Sequence, residues 1–506
     1  MDGSDSRSAP RWPIIAILAA GLGLRLGLAF VVFPGQGHAT DLGLFGEWAD
    51  TLARSGPGSF YATAGSANYP PGYLYVLWIV GALGDGVALL KTPAILADVA
   101  IGAVLYLAGR RWLGERTGLV AAALYLFVPV TWYDSALWGQ VDAVGALVML
   151  VSVVLLAEGW SEPALATACL AVFVKPQDAI VLVVVLPVLL RRHLLRIGSG
   201  PALSLGPRLQ RLDARLGGTL SSQGPVRLAT SGLLAFAVVA LVLLPFDIAR
   251  FAPASLSDVP VIGHIAGLVG LIASDTGQYA VLTANAFNAW ALVGPDSLAA
   301  AFGAGAGSWT ADSLPVVAGV SAAALGGALL IGTALLVAGG LLVRDGRLPI
   351  VLGLAIVAFA FYALPTRVHE RYLLPFFAPA ALLAAGWLAT SVGYVIVALL
   401  NTVNIHALLA APSRIGPAGG FGGGQGGGPG GPGGGAGGFG RPGPGSGQGA
   451  AAISLPFPDL GRSETIVALV ALGQTAIFVV LIVAWLVVVA RPRNRAIARW
   501  RRGGAT

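Results

Sequence analysis

Long uninterrupted apolar runs constrain this chain more than any other feature. Residues 13–33 (PIIAILAAGLGLRLGLAFVVF), 87–109 and 465–490 each supply the roughly 18–20 residues that cross about 30 Å of hydrocarbon. Lipid offers the backbone no hydrogen-bond partners, so each run must satisfy its own as a helix. Composition agrees: the chain is 56% hydrophobic and 10% charged, with a mean hydropathy of +0.81. That excludes a soluble globular protein. The expected class is an all-α polytopic membrane protein.

The candidate spans are 13–33, 87–109, 117–133, 141–158, 163–174, 177–190, 228–246, 314–343, 348–362, 374–388, 390–411 and 465–490, about twelve crossings by hydropathy. Residues 163–190 read as one long helix or two broken ones. The formal net charge is +7, but the arginines cluster in short loops. That is positive-inside topology, not a nucleic-acid surface. With residues 1–12 cytoplasmic, Arg110–Arg116, Arg191–Arg227, Arg344–Arg347 and the basic tail 491–506 all fall inside. Residues 13–33 are too long for a signal-peptide core and no clear A-x-A site follows, so they read as an uncleaved first span. The lone Cys169 permits no intramolecular disulfide.

Parity puts 34–86, 134–140, 247–313 and 363–373 on the outer face. A further outer stretch, 412–464, contains GGFGGGQGGGPGGPGGG, which cannot bury a core; 415–450 reads as a disordered linker before a C-terminal span, 465–490. In the first outer loop, Leu42, Phe45, Trp48 and Leu52 recur at helical spacing and predict an interfacial amphipathic helix. Residues 73–84 read as a second interfacial or re-entrant piece.

The outer segments hold the polar candidates: Asp41, Tyr69, Trp138, Gln140, Asp142, Lys175, Gln177, Asn285, Asn288 and the triplet His369-Glu370-Arg371. Ionisable groups at membrane depth are costly and point to function. Each also has a plainer reading. Asp41 suits a helix cap, as do Gln140 and Asp142. Lys175 suits a snorkelling side chain, and Asn285 and Asn288 suit turns. Trp48, Trp138 and Trp290 suit an interfacial aromatic belt. Arg25 and Asp98, inside spans, suit ion pairs with other helices. The HER triplet, between two long apolar runs, fits a plain account least.

Asp41 with Trp48, Tyr69-Pro70-Pro71, Trp138-Gly139-Gln140-x-Asp142, Lys175-Pro176-Gln177, Asn285-Ala286-Phe287-Asn288-x-Trp290 and His369-Glu370-Arg371 occur in an order that resembles the GT-C glycosyltransferases using lipid-phosphate sugars. The nearest likeness is to bacterial relatives of the GPI-anchor mannosyltransferase and of the dolichyl-phosphate-glucose-dependent glucosyltransferases. It runs over about residues 13–411, the presumptive catalytic domain; the Gly-rich linker and last span lie outside it. The glucosyltransferases carry His-Phe-Gln where this chain has Trp138-Gly139-Gln140, which favours the mannosyl branch.

The resemblance implies a multi-pass cell-membrane enzyme with an extracytoplasmic active site. A hexose, mannose by branch, would pass from a polyprenyl-phosphate sugar to a glycolipid, glycan or protein acceptor, without metal, cofactor or nucleic acid. Asp41 would be the general base. Arg371, His369 and Lys175 would hold the donor phosphate. Glu370, Gln140, Asp142, Gln177, Asn285, Asn288, Trp138 and Tyr69 would orient sugar or acceptor. The rival class is a transporter or flippase for a lipid-linked or polar substrate, which would show paired interrupted helices in two halves. No such symmetry is visible here.

Overall fold

The computed structural model describes residues 12–65, 67–84, 86–197, 207–215, 218, 222–276, 280–293, 310–410, 451–456, 458 and 463–490. The expected N-terminal segment up to residue 11, the Gly-rich 415–450 and the basic tail 491–506 lie outside them.

The described chain is overwhelmingly helical. Six helices are long and apolar enough to cross a membrane: Trp12–Val32, Val87–Leu113, Pro225–Leu243, Ala322–Val343, Leu388–Ala410 and Thr465–Ala490. Glu115–Phe127 and Pro129–Trp138 are together as long and apolar as a span but are bent by 51° at the break between them. The expected dozen is therefore not reached by length and composition among the described residues. The other expected spans are short. Asp142–Ala157, Arg347–Ala363 and Leu374–Ala384 are buried mostly in protein, so a neighbouring helix, not lipid, meets their apolar sides. Together with Val87–Leu113 and Ser161–Val174 they enclose the main core.

Proline and glycine set the breaks. Pro129 and Pro176 each force the preceding residue out of helical geometry: Val128 lies at φ −67°, ψ 137°, and Lys175 at φ −154°, ψ 134°. Residues 163–190 are thus two helices. The span expected from 314 begins later, because 315–317 and 320–321 form a small antiparallel hairpin. Ser321 then caps the helix, its hydroxyl accepting from Ala324 N at 3.3 Å.

The bundle has two chemically different ends. At one, arginines pair with acids at helix junctions. Arg191 and Arg192 reach Asp345 at 3.2 and 2.6 Å. Arg227 reaches Glu162 at 2.6 Å, while Arg111 and Arg347 share Glu158 at 2.8 and 3.0 Å. Asp142–Ala157, Ser161–Val174 and Arg347–Ala363 run between this end and the other, where the polar candidates lie. Arg25 does pair across helices, with Asp98 at 2.8 Å, and Thr131 and the Leu126 carbonyl take its other nitrogens.

The amphipathic helix is Ala39–Ser55, and Leu42, Phe45, Trp48 and Leu52 are its buried stripe, as their spacing predicted. It packs on Pro71–Leu83, the second interfacial piece. The aromatic-belt reading is corrected: Trp48, Trp138 and Trp290 are all buried in protein. A short parallel pairing joins Gln36–Gly37 to Ala451–Ala452.

Candidate active site

The first wall of the site comes from the bent span. A π-helical turn, Tyr133–Trp138, ends at Gly139 in the left-handed region, φ 87°, ψ 33°. The Gly139 and Gln140 amides donate to the Asp134 carbonyl at 3.0 and 3.1 Å. A side chain at 139 would be strained there and would also meet Leu42 at 2.8 Å and Lys91 at 3.1 Å. The reversal at glycine turns both its neighbours onto one carboxylate. Trp138 Nε1 donates to Asp41 Oδ2 at 2.7 Å, and Gln140 Nε2 donates to the same oxygen at 2.6 Å.

Asp41 is not the helix cap. His38 takes that position, its Nδ1 accepting from Asp41 N at 3.4 Å. The His38 ring stacks on Trp138 with centroids 4.4 Å apart, which sets Nδ1 3.5 Å from Asp41 Oδ2. Burial alone would raise the Asp41 pKa. His38, Arg371 and the Trp138 hydrogen bond outweigh it, so the group stays well below the ordinary carboxylate range.

The second wall is the Lys175–Pro176 break. The extended lysine does not snorkel. It is buried, and Nζ donates to Asp142 Oδ1 at 2.6 Å. Gln177 Nε2 donates to the same oxygen at 3.1 Å. Asp142 spends its carboxylate on Lys175 and Gln177 rather than on a cap, while Gln140 Oε1 accepts from Val141 N at 3.0 Å where the next helix begins.

The third wall is the turn after Arg347–Ala363. Arg371 Nη1 donates to Glu370 Oε1 at 2.8 Å, and Nε lies 3.8 Å from Asp142 Oδ2. Its guanidinium sits 5.2 Å over the Trp138 ring, a cation–π distance. Desolvation would weaken its charge, but Asp41, Glu370 and Asp142 hold its pKa well above the usual value. Burial pushes Glu370 up against the pull of Arg371. Burial, then Arg371 and Lys175, push His369 well below its usual 6.5. His369 is therefore neutral, so any hold on an anion comes from an N–H rather than a charge.

The NAFNAW segment supports this turn. His369 forms backbone bridges to Ala284 and Asn285. Asn285 takes φ 70°, and its carbonyl accepts from Asn404 Nδ2 at 2.8 Å. Asn288 caps residues 289–292 by accepting from Trp290 N at 3.1 Å and donates to the Tyr362 carbonyl at 2.9 Å. Asn285 thus stands in a backbone bridge and Asn288 at a helix cap, each with a structural part to play. Of these two, Asn285 keeps a buried amide oxygen without a hydrogen-bond partner among the described residues. Tyr69 packs on Phe45 and Trp48, and burial pushes its phenol pKa up, with Asp142 and Asp41 adding to the rise and Arg371 opposing it.

Asp41, Trp138, Gln140, Asp142, Lys175, Gln177, Glu370 and Arg371 are thus linked by direct contacts. Asn288 stands behind them as a support. Sequence reasoning missed His38, Tyr372 and Asp134. Tyr372 lies 5.4 Å from Lys175 Nζ, measured to the ring centre. Asp134 is fully buried with neither oxygen hydrogen-bonded among the described residues. Its place four residues before Trp138 was the available signal. Arg371 Nε, Asp142 Oδ2 and Glu370 Oε2 are also buried without a hydrogen bond, so donor and acceptor capacity remains in the site.

Residues 68–198 match the family model described as dolichyl-phosphate-mannose-protein mannosyltransferase. That segment carries the Tyr-Pro-Pro, Trp-Gly-Gln-x-Asp and Lys-Pro-Gln motifs. Over residues 68–198 the family model and the motif order point the same way, to a segment similar to glycosyltransferases of the GT-C class. Among solved structures, the apo oligosaccharyltransferase of Archaeoglobus fulgidus is 14% identical with a TM-score of 0.41, covering 79% of this chain and 52% of that one. The same figures hold for that organism's enzyme, AglB, in complex with an inhibitory peptide and a dolichol-phosphate. ArnT from Cupriavidus metallidurans bound to undecaprenyl phosphate is 15% identical with a TM-score of 0.28, covering 79% of this chain and 78% of that one. The chain thus spans about half the length of the oligosaccharyltransferases it matches. No curated protein matches it.

Proposed function

We propose that the protein transfers a hexose, mannose by the character of its motifs, from a polyprenyl-phosphate sugar to a lipid-linked, glycan or protein hydroxyl at the extracytoplasmic face. One observation carries the reading. Trp138 holds an ionised carboxylate, Asp41, by its N–H and a permanent cation, Arg371, over its ring. A base and an anion-binding fork thereby flank one space.

The acceptor oxygen attacks the anomeric carbon as the bond from that carbon to the phosphate oxygen breaks. The configuration inverts in this single displacement. Asp41 Oδ1, which Trp138 and Gln140 leave free, takes the hydroxyl proton. The departing phosphate keeps the electron pair and meets Arg371, whose planar fork suits two of its oxygens. Lys175 is a second phosphate ligand once it leaves Asp142, and His369 donates an N–H. Gln177 and Asp142 orient the sugar; Tyr69, Asn285 and Glu370 face sugar or acceptor.

The outer-face assignment is supported by the arginine-rich junctions, which gather at the opposite end of the bundle. The test is turnover of the purified protein against a panel of polyprenyl-phosphate sugars in native lipid extract. Transfer from the mannosyl donor alone is expected. Transport of the lipid without sugar transfer would contradict the reading.

A further inference from the structure

The chain beyond the Gly-rich stretch does not simply anchor the protein. It returns to the site at three places. Ala451 N donates to the Gly35 carbonyl at 3.0 Å, and Ile453 N donates to the Gly37 carbonyl at 3.2 Å. Ser454 N donates to Gln36 Oε1 at 3.1 Å. Further along, the Pro458 carbonyl accepts from His406 Nε2 at 3.1 Å, and His406 Nδ1 accepts from the Tyr133 hydroxyl at 3.2 Å. Finally, Val467 and Val470 of the last helix pack on Phe287 and Ala291, beside Asn285 and Asn288.

Each contact backs a different wall. Residues 35–37 lead directly into His38 and Asp41. Tyr133 opens the turn that ends at Trp138. Phe287 belongs to the segment that bridges His369. The first contact matters most. Residues 35–38 include two glycines, and Gly35 takes φ 68°; such a stretch samples many conformations when untied. On one side His38 N donates to the Trp138 carbonyl at 3.1 Å. On the other, residues 451–454 supply the second rail. Ile453 is buried as it does so.

We propose that residues 451–456, together with Pro458, are a positioning strap that fixes the loop carrying Asp41. The functional half of this claim rests on Asp41 being the base; the mechanical half does not. The register supplies the test. In a parallel pairing alternate amides face the partner strand, so Ala451 and Ile453 donate while the Ala452 amide points away. Ala451→Pro removes a bond to residue 35 from an exposed position. Ala452→Pro introduces the same ring and leaves the Ala451 and Ile453 hydrogen bonds in place.

The experiment compares full-length wild type, Ala451→Pro and Ala452→Pro, with Gln36→Ala as a milder cut through the Ser454 contact. Amide hydrogen exchange over residues 33–42 and the kcat and KM for polyprenyl-phosphate mannose are measured on each. Faster exchange over 33–42 is expected in Ala451→Pro, with kcat down roughly tenfold from a displaced base and donor KM unchanged. Gln36→Ala should move the same way by less, and Ala452→Pro should match wild type. Unchanged exchange in both Ala451→Pro and Gln36→Ala overturns the strap. So does equal loss in the two proline variants, or faster exchange with unaltered kcat. If wild type turns over no donor, the proposed activity fails instead, and the exchange comparison still decides whether the strap holds the loop.

Discussion

Trp138 and Asp41, far apart in the chain, are joined by a hydrogen bond of 2.7 Å from the indole N–H to Oδ2. The bond fixes which carboxylate oxygen is occupied and which is free to take a proton. Trp138→Phe keeps a ring beneath Arg371 but removes this donor. The expected result is kcat lowered about 10- to 100-fold, with donor affinity near wild type, since a hydrogen bond to a charged group is worth roughly 1.5–3 kcal/mol. Steady-state kinetics with separate donor-binding titrations check it.

Arg371 contributes differently. Arg371→Ala removes the proposed phosphate fork and leaves Glu370 and Asp142 buried with less cation beside them. Donor binding should weaken about 10- to 100-fold by loss of a charge-assisted bond. Thermal stability should fall too, because a broken buried pair costs on the order of 3–5 kcal/mol. Arg371→Lys should recover part of both. Donor titration and melting curves in detergent separate the two effects.

Gly139 tests the geometry itself. Gly139→Ala places a Cβ in the left-handed region and against Leu42 and Lys91. The strain costs about 1–2 kcal/mol and the overpacking a further 1–3 kcal/mol or so. Trp138 and Gln140 would then miss Asp41, lowering turnover by roughly 100-fold. Gly56, at φ 71° with open space around it, is the control: Gly56→Ala should cost the strain alone and leave turnover intact.

Legibility followed chemistry more than geometry. Helical spacing gave the Leu42–Phe45–Trp48–Leu52 stripe because burial is periodic. Charge clustering gave the arginine end because the arginines gather at helix junctions, where acids of neighbouring elements pair with them. The HER triplet stood out because nothing apolar explains it. The count of spans is not legible from hydropathy, which cannot distinguish lipid from a neighbouring helix; Arg347–Ala363 is buried by protein on nearly every side. Asp134 and His38 escaped notice because their meaning lies in what the π turn and the Gly139 reversal bring near them. The tie between residues 35–37 and 451–453 is a backbone contact across most of the chain, and no side chain announces it.

The depressed Asp41 pKa and the neutral His369 make a pH prediction. Asp41 should stay ionised as pH falls toward about 5, so kcat should show no acid limb from its protonation there. Its stabilising contribution is complete above its unfolded value of 3.8 and is lost only as pH falls further. His369 acts in the same direction but in a higher pH window. Its folded pKa lies below 6.5, so under that pH the unfolded chain binds the proton first and stability declines. His369→Gln should flatten the decline between about pH 6.5 and 5, as read by melting temperature against pH.

The central claim is that Asp41 is the base, and Asp41→Asn tests it most directly. An asparagine oxygen can still accept from Trp138 and Gln140, and His38 already caps the helix, so the fold should survive. The measurement is single-turnover transfer from polyprenyl-phosphate mannose by full-length Asp41→Asn protein, in samples shown to bind donor as wild type does. The account predicts a rate lowered about 10²–10⁴-fold, the usual cost of losing a general base, with donor affinity unchanged. Transfer at the wild-type rate would contradict it and move the search for the base to Asp142.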